Sequence, residues 1–182
     1  SIPYFSGISP QRWRTGVNVM IEKKPGVFRV DRLRKILLYE ADFNQNNKLV
    51  GRDMMRNAEL CHVLADENYG SRKFVMAVDD AVNKRLTFDA IRWQRLPAAW
   101  CANDAKSCYN WFVHSVACIC MRRCGVPTGP LFSMFDTIQR LQHHIRTVHG
   151  ISEISFGSHE QSPPCHGIGQ GNGAGPAIWA VV

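Results

Sequence analysis

The spacing of apolar residues changes period along this chain, and that change decides the class of fold open to it. Val17, Val19 and Ile21 alternate with Asn18, Met20 and Glu22, the period of two expected of a strand. Lys23, Lys24, Pro25 and Gly26 follow as a basic turn. A second extended segment is expected over 34–39, with Ile36 and Leu38 on one face, so that the two make a basic hairpin. Over 48–65 the spacing turns helical, through Leu49, Val50, Met54, Ala58, Cys61 and Leu64. Asn68, Tyr69, Gly70 and Ser71 break that helix, and another runs from Phe74 toward Trp93 until Pro97 stops it. The run 98–103 is short and apolar and reads as a buried strand. A helix is predicted over 107–123, closed by Gly125 with Pro127 beyond it. Pro130 opens the next helix, whose stripe is Leu131, Met134, Phe135, Ile138, Leu141 and Ile145. After Gly150 the composition shifts to Gly, Ser and Pro, with one short strand around 151–156. Strands interleaved with helices in this order imply a mixed α/β (α+β) domain.

The length of 182 residues is enough for one sizeable core. A 45% hydrophobic and 20% charged composition excludes a disordered chain. The longest apolar run, 112–120, is broken by His114 and Ser115 and is too short to cross a bilayer, so no membrane partner is expected. The first residues, S-I-P-Y-F, lack the charged and apolar regions of a secretory signal. The expected location is intracellular, cytoplasmic or nuclear, and not secreted. The chain does not begin with Met, and its last apolar stretch, 177–182, carries no cap; both point to a piece of a longer protein. Seven cysteines form no regular framework and read as free thiols. His114, Cys118, Cys120 and Cys124 have the residue types of a zinc site, but no C-x-x-C pair occurs. They also fall in a helical pattern with Cys108, Phe112, Val116, Ile119 and Cys120 on its apolar face, where cysteine serves as a small hydrophobe.

The formal net charge is +7, and the excess is concentrated. Arg12, Arg14, Lys23, Lys24, Arg29, Arg32, Arg34 and Lys35 face only Glu22 and Asp31 over that stretch. Such a surplus suits a polyanion, although a solvated basic face has the same composition.

Asp104 follows the apolar run 98–103. A carboxylate at the carboxyl end of a buried strand is a usual place for a hard cation to bind, and equally a usual way to start a turn. The segment 104–110, D-A-K-S-C-Y-N, resembles motif A of the reverse transcriptases, D-x-x-x-A-[FY]-D, with Asn110 in place of the last Asp. The G-V-P at 125–127 resembles the end of the helix that follows motif A. The segment 167–176, G-I-G-Q-G-N-G-A-G-P, resembles motif B, G-x-P-Q-G-x-x-x-S-P, with Gly169 in place of Pro and Gly175 in place of Ser. Upstream, I-E-K-K at 21–24 and L-R-K-I at 33–36 resemble the fingers hairpin, and E-N-Y-G-S-R at 67–72 resembles the linker between fingers and palm.

Taken in order, these segments cover about residues 13–182 and resemble a retrotransposon reverse transcriptase without long terminal repeats. The resemblance implies a right-hand polymerase arrangement, fingers over 1–95 and a partial palm over 96–182. It implies an RNA-directed DNA polymerase, with an RNA template, a DNA primer and deoxynucleoside triphosphates as partners and Mg2+ or Mn2+ as cofactor. Asp104 would be the catalytic metal ligand. Lys24, Arg34, Tyr109, Gln170 and Gly171 would bind the nucleotide, and Lys23, Lys48 and Arg52 the nucleic acid. The family's [YF]-x-D-D motif does not occur within these residues. Asp79 and Asp80 precede motif A in a helical pattern and read as solvated surface. The expected chain is therefore inactive alone, or, as the alternative, a non-catalytic nucleic-acid-binding remnant of a decayed element.

Overall fold

In the computed structural model, which describes residues 2–27, 29–157 and 166–182, the hairpin forms as its periodicity requires. Strands β1 (Thr15–Glu22) and β2 (Leu33–Leu38) pair antiparallel, with Ile21 opposite Arg34 and Val17 opposite Leu38. On the other side of β1 lies β3 (Gln142–Thr147), which runs parallel to it, and two short strands, β4 (Gly150–Ile151) and β5 (Phe156–Gly157), pair antiparallel with β3. The sheet order is β2-β1-β3-β4, with β5 also against β3. The result is a small mixed sheet.

Six helices accompany the sheet among the described residues: α1 (Ile2–Ser6), α2 (Ala41–Leu60), α3 (Ala77–Gln94), α4 (His114–Arg123), α5 (Thr128–Gln139) and α6 (Gly175–Val181). α2 packs on α6, α1 on α5, and α4 touches both α5 and α6. Trp13, Phe43, Met54, Met121, Met134, Leu141, Ile168 and Ile178 are the largest apolar side chains fully enclosed. Trp13 is anchored at both ends: its ring lies 5.2 Å from that of Phe43, and its indole N–H donates to Asp42 Oδ1 at 2.8 Å. Buried hydroxyls of Ser9, Ser133 and Thr137 satisfy one another, which lets a polar stripe of α5 enter the core without unpaired groups.

Several local expectations are corrected. The core face of the hairpin is the opposite one from that suggested by Val17, Val19 and Ile36. Gly16, Asn18 and Leu37 are buried, while Leu38 is half exposed. The cause is close packing: a Cβ on Gly16 would lie 2.8 Å from Leu37 Cδ1 and 3.0 Å from Leu141 Cδ2. The stretch 98–103 is not a buried strand; it is irregular and exposed, and Asp104 with it. Both neighbours of β1 are already taken, by β2 and by β3. Trp100 packs instead on Phe88 of α3, with ring centroids 4.8 Å apart. α3 itself carries no buried residue. The helix expected from 107 begins at His114, after a single 3-10 turn at Cys108–Asn110. Its core residues are Ala117 and Met121, not Val116 and Ile119. Ile145 belongs to β3 rather than to the stripe of α5. Part of the Gly, Ser and Pro region, 158–165 with the seventh cysteine, Cys165, lies outside the described residues.

Asp79 and Asp80 occupy the first turn of α3, where Asp79 accepts the Met76 N–H at 2.9 Å and Asp80 pairs with Lys84 at 2.7 Å. Carboxylates there favour the helix N-terminus, which accounts for both. Among the described residues no helix is long and apolar enough to cross a membrane.

Candidate functional site

Glycine-rich sequence has little of its own to hold it in place, so its contacts reveal what it is for. The segment 167–175 is clasped from three directions. From the sheet, the Leu37 N–H on the outer edge of β2 donates to Gln170 O at 2.7 Å, and the Tyr39 hydroxyl donates to Ile168 O at 2.5 Å. From α2, the Asn44 amide donates to Gly171 O at 3.0 Å and accepts the Gly173 N–H at 2.6 Å. From the Tyr109 turn, Gly167 N donates to Phe112 O at 3.2 Å and Ile168 N to Tyr109 O at 2.9 Å. His114 completes the set. A carbonyl only accepts, so its Nε2 carries the proton donated to Gly167 O at 2.7 Å. Its Nδ1 then accepts from the Gln139 amide at 3.2 Å, which leaves this ring committed to the clasp.

Glycine is required here by contact as well as by backbone angle. Gly171 has φ +129°, and a Cβ there would lie 2.2 Å from Leu37 O. At Gly173 it would lie 2.7 Å from Asn44 O and 2.9 Å from Lys48 Cβ. These approaches bring the segment onto backbone, as only a residue without Cβ permits. With Ile168 and Ala174 fully buried, the hydrogen bonds, worth about 1 kcal/mol net each, offset much of the entropy lost in ordering the stretch. Asn172 accepts the Ala174 N–H at 2.9 Å in the turn that leads into α6.

The clasp unites several of the residues singled out from sequence. Tyr109 is half buried, its ring 6.3 Å from that of Phe112, and a Cβ on Gly175 would lie 3.1 Å from its Cε1. Burial raises the Tyr109 phenol above its ordinary range. The Gln170 side chain, half buried, makes no hydrogen bond among the described residues; only its backbone is spent. Gly171 is exposed beside it. Arg34 stands three residues before Leu37 on β2, about 10 Å along the strand, and is exposed. Lys23 and Lys24 lie exposed in the turn beyond β1. Arg29 and Arg32 are occupied by Asp31, at 3.1 and 3.6 Å, which leaves Lys23, Lys24, Arg34 and Lys35 as the hairpin cations without an ion pair among the described residues. Lys48 lies beside Gly173, and Arg52, one turn on, pairs with Asp53 at 3.4 Å.

Asp104 is not brought to this cluster by any hydrogen bond or ion pair among the described residues. None of those residues forms a group of three or more His, Cys, Asp or Glu placed to hold a metal. One exposed carboxylate in irregular chain does not make a two-metal site, so no step through Mg2+ is derived from these residues. Cys118 and Cys124 have thiols raised by burial, as expected of packed rather than reactive cysteines.

Sequence reasoning missed Tyr39 and Asn44, whose side chains hold the segment at three points, and Asn172 within it. Asn44 was hidden because the helix was placed from residue 48, whereas α2 starts at Ala41. No protein-family model matches the chain, and no curated protein matches it.

Proposed function

We propose that this chain is part of the fingers and palm of a reverse transcriptase, acting with an RNA template, a DNA primer and deoxynucleoside triphosphates. The observation that carries the reading is the seating of the 167–175 segment. It packs at once on β2 of the basic hairpin, on the helix bearing Lys48 and Arg52, and on the turn bearing Tyr109. Three separately recognised motif regions, the hairpin, the Tyr109 turn and the glycine segment itself, thus meet at one place beside α2, although Tyr39 and Ile168 lie 129 residues apart in sequence. In this reading Lys24 and Arg34 hold the triphosphate, Arg through a planar fork and Lys as a point charge. Tyr109 lies under the sugar, and Gln170 and Gly171 lie against the base. Asp104 supplies one of the carboxylates for Mg2+ or Mn2+, and the remainder belong to an aromatic-x-Asp-Asp motif that these residues do not contain.

The non-catalytic remnant is the second reading, favoured by the exposed, irregular chain around Asp104. Sequencing the gene downstream of codon 182 separates the two. An open frame with [YF]-x-D-D within a few dozen codons supports the polymerase; stop codons before such a motif support the remnant.

A further inference from the structure

A groove of about 1110 Å3 runs between α2 and the turn that follows it. One wall carries Lys48, Arg52 and Arg56. They are spaced one per turn of helix, so successive cations lie about 6 Å apart along the axis. The facing wall carries Lys73 and Phe74. The two carboxylates that line the groove are each already engaged: Asp53 pairs with Arg52 at 3.4 Å, and Glu59 accepts a two-point contact from Arg72 at 2.7 and 2.9 Å. Lys48, Arg56 and Lys73 have no ion pair among the described residues, which leaves the groove positive.

Phe74 is the unusual member. It is 89% exposed, and it holds φ +64°, an unfavourable backbone region for a bulky side chain. The Lys73 ammonium lies 4.7 Å from its ring centroid. The turn presenting it is fixed from behind: Arg72 also donates to the carbonyls of Ala65, Asp66 and Asn68, and Asn68 donates to Ala180 O of α6 at 3.1 Å. An aromatic ring is thus held out over a basic groove by a braced turn. A row of cations tracking a backbone, with an exposed ring beside it, is the arrangement that takes single-stranded nucleic acid, whose bases stack without regard to sequence.

We propose that this groove holds a single nucleic-acid strand, its phosphates along Lys48, Arg52 and Arg56 and one base stacked on Phe74. The proposal rests on the functional reading above, where the strand is the RNA template before it pairs, and it adds Arg56, Lys73 and Phe74 to the residues that hold it.

Fluorescence anisotropy with a labelled 12-nucleotide oligo-uridine and a blunt RNA–DNA duplex, over 50–200 mM salt, tests it on the full chain. Phe74→Ala weakens single-strand binding about tenfold with the duplex unchanged, and Phe74→Trp restores it. The Arg56→Ala/Lys73→Ala pair lowers the salt slope for the single strand by about 1.4. Phe74 is exposed, so its loss leaves the fold intact, which circular dichroism checks. Salt-dependent single-strand binding that these variants do not alter overturns the groove while leaving the functional reading in place. No binding of either nucleic acid overturns both.

Discussion

The Asn44 side chain takes the place of a neighbouring strand for Gly173, accepting its N–H at 2.6 Å while donating to the carbonyl of Gly171 at 3.0 Å. One amide on the first turn of α2 thereby fixes the backbone that the functional reading places beside the nucleotide. Asn44→Ala removes both bonds and is expected to cost about 1–3 kcal/mol, measured as a lowered urea midpoint at unchanged slope. Asn44→Asp keeps the acceptor and loses only the donor, so it falls between the two.

Two glycines of positive φ separate backbone strain from contact. Gly26 (φ +78°) has open space where a Cβ would go, whereas Gly171 would meet Leu37 O at 2.2 Å. Gly26→Ala is expected to cost about 1 kcal/mol, the left-handed backbone penalty alone. Gly171→Ala must also push β2 away and costs more than about 3 kcal/mol. Equal costs in denaturant unfolding would mean that the segment does not seat against β2.

Much of this was legible in the sequence, for definable reasons. The hairpin announced itself by alternation and by its Pro-Gly turn, and Gly125 and Pro130 marked the end of α4 and the start of α5. β3 was not legible: Q-H-H-I-R-T has one apolar residue, Ile145, and that residue continues the spacing of α5. The start of α2 was hidden because Glu40, at its N-cap, makes no side-chain cap. The burial of Asn18 could not be foreseen, because its partners, His143 Nδ1 at 3.3 Å and the His144 carbonyl at 3.0 Å, lie on β3, far away in sequence. Of the site, the glycine motif and Tyr109 were readable as spacing. Their clasp was not, since Tyr39 and Asn44 belong to no recognisable pattern.

His143 sets an acid limit on the fold. It is buried, stacked on Phe156 at 5.1 Å, and its Nδ1 accepts from the Asn18 amide. Burial, with a smaller contribution from the Lys35 charge, lowers its pKa to about 4. An unfolded histidine titrates near 6.5, so between pH 6.5 and 4 the unfolded chain binds the extra proton. Stability from this residue is complete above about pH 6.5 and falls as the pH drops through that window, by an amount on the order of 2–3 kcal/mol. Urea midpoints from pH 7 to 4 should show the decline, and His143→Phe should flatten it.

The hairpin cations make a separate prediction about ligands. Replacing Lys24 and Arg34 with Ala should weaken deoxynucleoside triphosphate binding at least tenfold. Binding to an RNA–DNA duplex, shared among many cations, should change only a few-fold and weaken steeply as salt rises. Equal losses for both ligands in parallel titrations would make the hairpin a general basic surface.

Primer extension on an RNA template, with Mg2+ or Mn2+, tests the polymerase reading most directly. These 182 residues would be compared with a chain continued through about a hundred further codons. A lone exposed carboxylate cannot organise two divalent ions that give up water reluctantly. The account therefore predicts no extension by the 182 residues and extension by the longer chain, abolished by Asp104→Asn. Extension by the 182 residues themselves, or by a longer chain indifferent to Asp104→Asn, would contradict it.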